Sequence, residues 1–365
     1  MLQYDEPIVG AKRAAKYLAD EIRGDLDDAV GGISWWVTDD LAPDVHALLS
    51  HYTVSVVRGV AANLDEAAFH CFQYQGCVRK EDYYLSSQVR KANGGIPNLA
   101  ARQGVDSRRQ TEIGAEQAAF FRSIGSVLDT LAAMVIAVGA LELDLLRADF
   151  GTLRTFDTSD SYPRLSGQAA RTLRQSLAEE GTPAAEAQES LLRSLRAAVV
   201  HAGPPGWAQW TLDTRNNFVH RPRWMNLLVH YRPHRNDPIT WVRPLPRTPT
   251  EGEGAALRAA SELADTHLTE DALDSMRGVL SSVDALTTAV VEQCSQLWRK
   301  RRASPDLLTQ PPSQWKPRTV NSFDGYSPGT AQKAFDSAGV VVVNPSDGAR
   351  LTALMDMTWP KGRRP

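Results

Sequence analysis

An arginine, two asparagines and a histidine occur within six consecutive residues, Arg215-Asn216-Asn217-Phe218-Val219-His220. Imidazole is the side chain that exchanges protons near neutral pH, and a guanidinium group binds phosphate oxygens through paired N–H donors. Asn216 precedes His220 by four residues, so both lie on the same face of a helix, where the amide can hold a phosphate or orient the imidazole. The pattern predicts acid–base chemistry on a phosphate ester, with Arg215, Asn216 and His220 as the candidate catalytic residues.

The spacing of arginine and histidine is a weak signal by itself, because a chain with 40 basic residues and eight histidines contains such a pair by chance. Arg196 and His201 have the same spacing, but the residues between them are all apolar, which is typical of a buried helix face. Two structural alternatives remain for the second pair. Arg215 can pair with Asp213 or with a backbone carbonyl, and His220 can cap the end of a helix.

The residues around the pair place it on a short helix. The break Gly203-Pro204-Pro205-Gly206 precedes a predicted helix over residues 207–221. Pro222 disfavours helical backbone at the residue before it, so the helix should end near His220. The partial negative charge at a helix C-terminus favours the imidazolium form of such a histidine, which suits a proton donor.

A cationic segment follows the helix. Residues 215–247 contain seven arginines and a single acid, Asp237, in a chain whose formal net charge is −3. This contrast is typical of a surface that binds a polyanion. The predicted RNA-binding residues are Arg221, Arg223, Arg232 and Arg235.

Arg215, Asn216 and His220 resemble the Arg-x4-His motif of the HEPN superfamily, in which a polar residue follows the arginine and the histidine lies near the end of a helix. The active members of this superfamily are metal-independent ribonucleases. The resemblance rests on six residues. It implies a helical bundle that forms a homodimer, in which two copies of the motif build one composite active site. No cofactor and no metal are expected.

The predicted function is endonucleolytic cleavage of an RNA substrate by transesterification. His220 would exchange a proton with the ribose 2′-hydroxyl or the leaving 5′-oxygen, while Arg215 stabilises charge on the phosphate. By analogy with the superfamily, the protein would be a bacterial toxin or anti-phage defence effector, restrained by an antitoxin or sensor protein. One alternative is a non-catalytic HEPN-like protein that binds RNA or a nucleotide, or acts as a scaffold. Another is a helical interaction subunit whose cationic segment binds an acidic protein.

Composition predicts a soluble globular protein, with 42% hydrophobic and 23% charged residues among 365. No window was expected to approach the eighteen apolar residues that span a bilayer, and the acidic N-terminus lacks a signal-peptide pattern, so no membrane contact and a cytoplasmic location are predicted. Cys71 and Cys77 are six residues apart, and His70 directly precedes Cys71. No second Cys/His pair has the spacing of a zinc finger, which disfavours a metal site.

The fold class predicted from hydrophobic periodicity is mainly α: a HEPN-like helical bundle with an inserted β-hairpin and an extended C-terminal tail. Residues 1–42 should form an N-terminal helix and a short strand, residues 43–302 the helical domain with the hairpin near 224–245, and residues 303–365 an irregular extension. The segment 111–149 is apolar around its whole middle, which places it at the bundle centre or in a subunit interface. The predicted helices cover 8–28, 43–74, 111–149, 166–180, 183–201, 207–221, 251–267 and 269–301; strands cover 33–37, 224–231 and 239–245, and turns or a connector cover 75–106.

Overall fold

The structure, a computed structural model, describes residues 4, 6–27, 29–37, 39–92, 105–153, 167–220, 227–232, 234, 237–316, 323, 325 and 326, except for the side chains of residues 105, 106, 167, 169 and 220. The described part is mainly helical, as predicted. The helices are α1 (Val9–Gly24), α2 (Pro43–Lys91), α3 (Val105–Val138), α4 (Phe150–Leu153), α5 (Gly167–Gln175), α6 (Pro183–Ala202), α7 (Trp207–His220), α8 (Glu253–Ala259) and α9 (Ala272–Ala303). The strands are β1 (Leu26–Asp27), β2 (Gly32–Ile33), β3 (Val229–Tyr231) and β4 (Thr240–Val242).

Helix α3 lies at the centre of the bundle and packs against α2, α7 and α9. Every residue from Val127 to Val138 except Asp129 and Thr130 is buried, so the apolar segment serves the bundle interior. Part of α3, Ser107–Val138, is long and apolar enough to cross a membrane, contrary to the expectation that no window would be, and 78% of its most apolar stretch is buried inside the protein. One hydrophobic cluster extends from Ile8 to Leu308.

Helix α3 ends eleven residues earlier than predicted, at Val138. A Cβ at Gly139 would lie 2.8 Å from the carbonyl oxygen of Val135, so the backbone there requires glycine. The next residue, Ala140, has a positive φ of 49°. The amide of Gln188 on α6 donates to the carbonyls of Gly139 and Ala140, which satisfies the acceptors at this helix end.

Helix α2 is longer than predicted and carries the hairpin. The prediction of turns or a connector over 75–106 is wrong for 75–91, which continue the helix to Lys91, and for 105–106, which begin α3. The extension buries a sparse stripe, Val78, Glu81, Leu85 and Val89, at helical spacing. The hairpin packs on this stripe: Trp241 contacts Leu85 and Val89, its indole donates to Ser86 Oγ at 3.1 Å, and Arg243 Nη2 donates to Asp82 Oδ1 at 2.6 Å.

The predicted β-hairpin is confirmed, with β3 and β4 pairing antiparallel over three residues each. Residues 221–226, which include the predicted start of its first strand, lie outside the described residues. The predicted strand 33–37 is wrong beyond Ile33, because Ser34–Trp36 form a 3-10 helix. The predicted helix 251–267 divides into α8 and a 3-10 turn, Leu263–Thr266, which starts with a capping box between Glu262 and Asp265.

The basic end of α9 contains a buried cation, Arg301. Its guanidinium donates to the carbonyls of Val138 and Leu308 and to the amide oxygen of Gln310. Burial lowers the pKa of Arg301 to about 9. Three indoles surround it, with ring centroids 4.9–5.8 Å from its Cζ; they belong to Trp35, Trp36 and Trp298. Arg301 therefore joins α9 to the end of α3.

The first part of the predicted C-terminal extension packs on the bundle. The Gln314 amide donates to the carbonyls of Ile136 and Leu141, and Trp315 makes an edge contact with Tyr52. Beyond Lys316 only residues 323, 325 and 326 are described, so the apolar run at 340–343 lies outside the described residues.

Candidate active site on the seventh helix

The motif helix α7 begins and ends where the sequence predicts. Gly206 has a φ of +81°, which glycine adopts without strain, and it turns the chain from the Pro204-Pro205 break into Trp207. The Trp207 indole donates to the Val199 carbonyl at 2.9 Å, and the Trp210 indole donates to the Pro246 carbonyl at 3.0 Å. These two tryptophans anchor α7 to α6 and to the segment after the hairpin.

Arg215 pairs with a residue that the sequence analysis missed. Its Nη2 lies 3.2 Å from Asp129 Oδ2 on α3, and its Nη1 donates to Asn216 Oδ1 at 3.1 Å. The side chain is 31% exposed. The predicted alternative partner, Asp213, instead accepts a hydrogen bond from Gln209 at 2.7 Å. The guanidinium is therefore held on two sides and still reaches solvent.

Helix α3 offers α7 a polar stripe with the spacing i, i+3, i+7: Arg122, Gly125 and Asp129. The Arg215 side chain crosses Gly125 closely, since a Cβ there would lie 2.8 Å from its Nε and 2.9 Å from its Cγ. Arg122 Nη2 donates to the Phe218 carbonyl at 3.5 Å, in the last turn of α7. Two charged residues and a glycine within an otherwise apolar helix are the signal in the sequence for this contact. A partly buried charge such as Asp129 needs a partner from another helix.

Aromatic packing fixes the two helices beside this stripe. Phe121 of α3 stacks on Phe218 of α7 with ring centroids 5.6 Å apart and planes at 19°, and it makes an edge contact with Trp210. Such pairs contribute roughly 0.5–1.5 kcal/mol beyond their buried area. These apolar contacts therefore set the distance between α3 and α7. At this distance the Arg215 guanidinium reaches the Asp129 carboxylate.

Asp129 experiences opposing influences on its pKa. Burial raises the pKa most strongly, and the nearby Asp149 raises it further. The backbone N–H of Phe150, which donates to Asp129 Oδ1 at 3.1 Å, and the Arg215 guanidinium both lower it. The net result is a raised pKa, so this carboxylate carries its charge at a cost that its two donors offset only in part.

Asn216 is exposed, and His220 is the last residue of α7, with its side chain outside the described residues. A helix turns about 100° per residue, so Arg215 and His220 lie roughly 140° apart around the axis, whereas Asn216 and His220 are only about 40° apart. The helix thus groups Asn216 with His220 and turns Arg215 towards α3.

The predicted RNA-binding arginines are only partly described. Arg232 follows β3 and is exposed, while Arg221, Arg223 and Arg235 lie outside the described residues. Two other arginines of the cationic segment have internal partners. Arg243 is ion-paired with Asp82, and Arg247 Nη2 donates to the His267 carbonyl at 3.3 Å. The segment is therefore less cationic towards solvent than its sequence indicates.

A cleft is formed by α7 together with α2, the first half of α3 and the hairpin segment. Thr214, Asn217 and Phe218 line it from the motif helix; Tyr74, Gln110, Gln117, Arg243 and Pro246 are among the residues opposite. The cavity volume, counted as the space that the centre of a water molecule can occupy, is about 80 Å³. One water requires roughly 10–15 Å³ on that measure, so the cleft holds several waters or one small ring.

The other candidates of the sequence analysis have ordinary placements. His201 of the second Arg-x4-His pair is exposed, and its Nδ1 lies 2.6 Å from the Ala197 carbonyl oxygen. Of the four apolar residues between Arg196 and His201 only Val199 is buried, so the expected buried helix face is wrong for the other three. His70 Nδ1 pairs with Glu116 at 2.8 Å. Burial raises the pKa of Cys71 to about 11, and it also raises that of Cys77. Within the described ranges no three His, Cys, Asp or Glu side chains cluster as metal ligands would.

No family model matches the chain, and neither the curated proteins nor the solved structures contain a significant match to it.

Proposed function

We propose that this protein is a metal-independent endoribonuclease that cleaves RNA by attack of the ribose 2′-hydroxyl on the adjacent phosphate. The observation that carries the proposal is the Arg215 guanidinium, which Asp129 and Asn216 hold at the partly exposed surface of a helix that ends at His220. A guanidinium fixed before the substrate arrives stabilises developing charge on phosphate oxygens without reorganisation. RNA supplies its own nucleophile, so the chemistry needs only a proton-exchanging group and a cation.

The positions around α7 favour a site that two subunits share. The helix positions of Arg215 and His220 are about 140° apart around the axis of α7, which favours a site that combines residues from two copies of the helix. A homodimer that brings two copies of α7 together lets His220 of one copy act beside Arg215 of the other, as the resemblance to the HEPN superfamily implies. A toxin or defence effector restrained by an antitoxin or sensor protein is the biological role that this resemblance suggests.

The test is incubation of the purified protein with labelled RNA in EDTA, comparing the wild type with Arg215→Ala and His220→Ala. The expected products end in a 2′,3′-cyclic phosphate, and both variants lose cleavage by several hundred-fold or more while they keep their fold. His201→Ala is the matched control, because it alters the exposed histidine of the other Arg-x4-His pair. Single-stranded DNA should stay intact. Cutting that requires a divalent metal, or full activity in His220→Ala, would contradict the proposal.

A non-catalytic RNA- or nucleotide-binding role is the second candidate. It is favoured by the ion pair of Arg215 with Asp129, which also serves to fasten α7 to α3. Measuring RNA binding and urea unfolding on the same variants separates the two functions. If the wild type binds RNA without cutting it, and Arg215→Ala lowers only the unfolding midpoint, the arginine is structural and the protein is a binding module.

A further inference from the structure

A cationic groove lies between α1 and α2, apart from the candidate active site. Helix α1 buries one face, which includes Ala11, Ala15 and Leu18, against the bundle. Its other face forms one wall of the groove, and Arg58 and Ala61 of α2 form the opposite wall. The charged and aromatic residues that line the groove are Lys12, Arg13, Lys16, Tyr17, Asp20 and Arg58.

Acidic side chains neutralise only part of this charge. Lys12 is ion-paired with Asp65, and Asp20 is paired with Arg23. Among the residues that the structure describes, no carboxylate lies within ion-pair distance of the other three cations of the groove, which are Arg13, Lys16 and Arg58. Arg13 and Lys16 are exposed, and Arg58 is half-buried in the wall. This local excess of positive charge contrasts with the net charge of −3 for the whole chain.

An exposed aromatic ring lies within the same stripe. The Tyr17 side chain is 64% exposed, next to Lys16, at a position where neither the core nor another ring covers it in the described structure. Basic grooves that carry an exposed aromatic residue bind single-stranded nucleic acids, because the cations follow the phosphates and the ring stacks on a base. Tyr17 lines the same groove as Arg13, Lys16 and Arg58, so a base on its ring would lie beside cations that bind phosphate.

We propose that the groove between α1 and α2 binds the phosphate backbone of single-stranded RNA, with Tyr17 stacking on a base. The identity of the polyanion rests on the proposed ribonuclease function. Phosphates contact Arg13, Lys16 and Arg58, and this contact supplies affinity that depends on salt and not on sequence.

The groove connects to the candidate active site through packed residues. Gly59, the neighbour of Arg58, lies against Thr130 of α3, and Asn63 donates to the Thr130 hydroxyl at 2.9 Å. Thr130 adjoins Asp129, the partner of Arg215. The wall of the groove is thus linked to the Asp129–Arg215 pair through the packing of α2 on α3 and of α3 on α7.

The test uses a labelled single strand of 2′-O-methyl RNA, which lacks the free hydroxyl that cleavage needs, so binding is measured on intact material. Arg13→Gln/Lys16→Gln should weaken binding on the order of tenfold and reduce the slope of log affinity against log salt by about 1.4, at about 0.7 for each lost phosphate contact. Arg171→Gln/Arg174→Gln is the matched control, because it removes the same charge from two exposed arginines of α5. Tyr17→Ala should weaken binding without changing the slope.

The outcomes separate this inference from the proposed function. Suppose that Arg13→Gln/Lys16→Gln binds RNA more weakly and with a smaller salt dependence, while the wild type never cuts unmodified RNA. The groove then binds RNA and the ribonuclease proposal fails. If the groove and control variants bind equally, the groove inference is wrong, whatever the cleavage assay gives. Tighter binding of polyglutamate than of RNA would also overturn it, since that result indicates an acidic protein partner.

Discussion

Arg215 of α7 and Asp129 of α3 form an ion pair at 3.2 Å, eighty-six positions apart in the chain, with the Arg215 side chain lying across Gly125. The pair joins the helix that carries the candidate catalytic residues to the most buried helix of the bundle. Asp129 also accepts the first backbone N–H of α4, so one carboxylate holds two elements. The first three predictions concern this contact and the burial of Asp129.

Asp129→Asn should lower RNA cleavage about 10- to 100-fold, because the neutral amide no longer holds the Arg215 guanidinium and a displacement of about 1 Å costs this much. Cleavage rate at saturating RNA is the measurement. Asp284→Asn is the control, since Asp284 is another partly buried carboxylate that accepts a backbone N–H, from Ala11, and it does not contact α7. Equal cleavage rates in the two variants would show that Asp129 does not orient Arg215 for cleavage.

Gly125→Ala should reduce cleavage by displacing Arg215, because the new Cβ would lie 2.8 Å from Nε and 2.9 Å from Cγ. Its stability should change little, since the gain of up to about 1 kcal/mol from replacing a helical glycine opposes the contact. Gly278→Ala, where nothing lies within 4 Å of the Cβ, should gain stability and keep full activity. The comparison is made by urea unfolding and by RNA cleavage. Unchanged cleavage in Gly125→Ala would mean that the exact position of Arg215 does not matter.

The pH dependence of stability should reveal the burial of Asp129. Burial raises its folded pKa above the unfolded value of 3.8, so the folded protein binds this proton more tightly. The contribution of Asp129 to the free energy of unfolding therefore falls as the pH rises from about 3.8 through the raised pKa, and is constant above it. Urea unfolding at several acidic pH values should give a stability of wild type relative to Asp129→Asn that declines with rising pH. A relative stability that increases with pH would mean that the ion pair with Arg215 outweighs desolvation.

Arg301→Met should destabilise the protein by about 2–4 kcal/mol. The carbonyls of Val138 and Leu308 and the amide of Gln310 lose their donor, and each buried acceptor left unpaired costs roughly 1–3 kcal/mol. Removal of a buried cation offsets part of this loss, because burial already lowers the pKa of Arg301 to about 9. Chemical denaturation measures the change.

Arg299→Gln provides the control within the same basic run. Arg299 is exposed and pairs with Glu21 at 2.9 Å. Water and salt screen exposed pairs, so its unfolding midpoint should stay near that of the wild type. Similar midpoints for Arg301→Met and Arg299→Gln would contradict a structural role for the buried guanidinium.

Local chemistry in the sequence was sufficient for the ends of α7. Gly206 supplies the turn into the helix, and Pro222 disfavours helical backbone at the residue before it, so the bounds of the motif helix follow from residues next to it. The hairpin was also predictable, since two β-prone runs flank turn residues. The extension of α2 to Lys91 was missed, because its buried stripe is sparse and gains its apolar surroundings only when Trp241 packs beside Leu85 and Val89.

The sequence by itself determined that Arg215, Asn216 and His220 lie together on one short helix, because residue type and helical spacing are local properties. Only the tertiary structure decided which of the arginines have internal partners. Arg215 meets Asp129, Arg243 meets Asp82, and Arg301 is buried against α3. These pairings join residues that are far apart in the chain, and the packing of α2, α3, α7 and α9 brings them together, so no pattern within a single segment contains them.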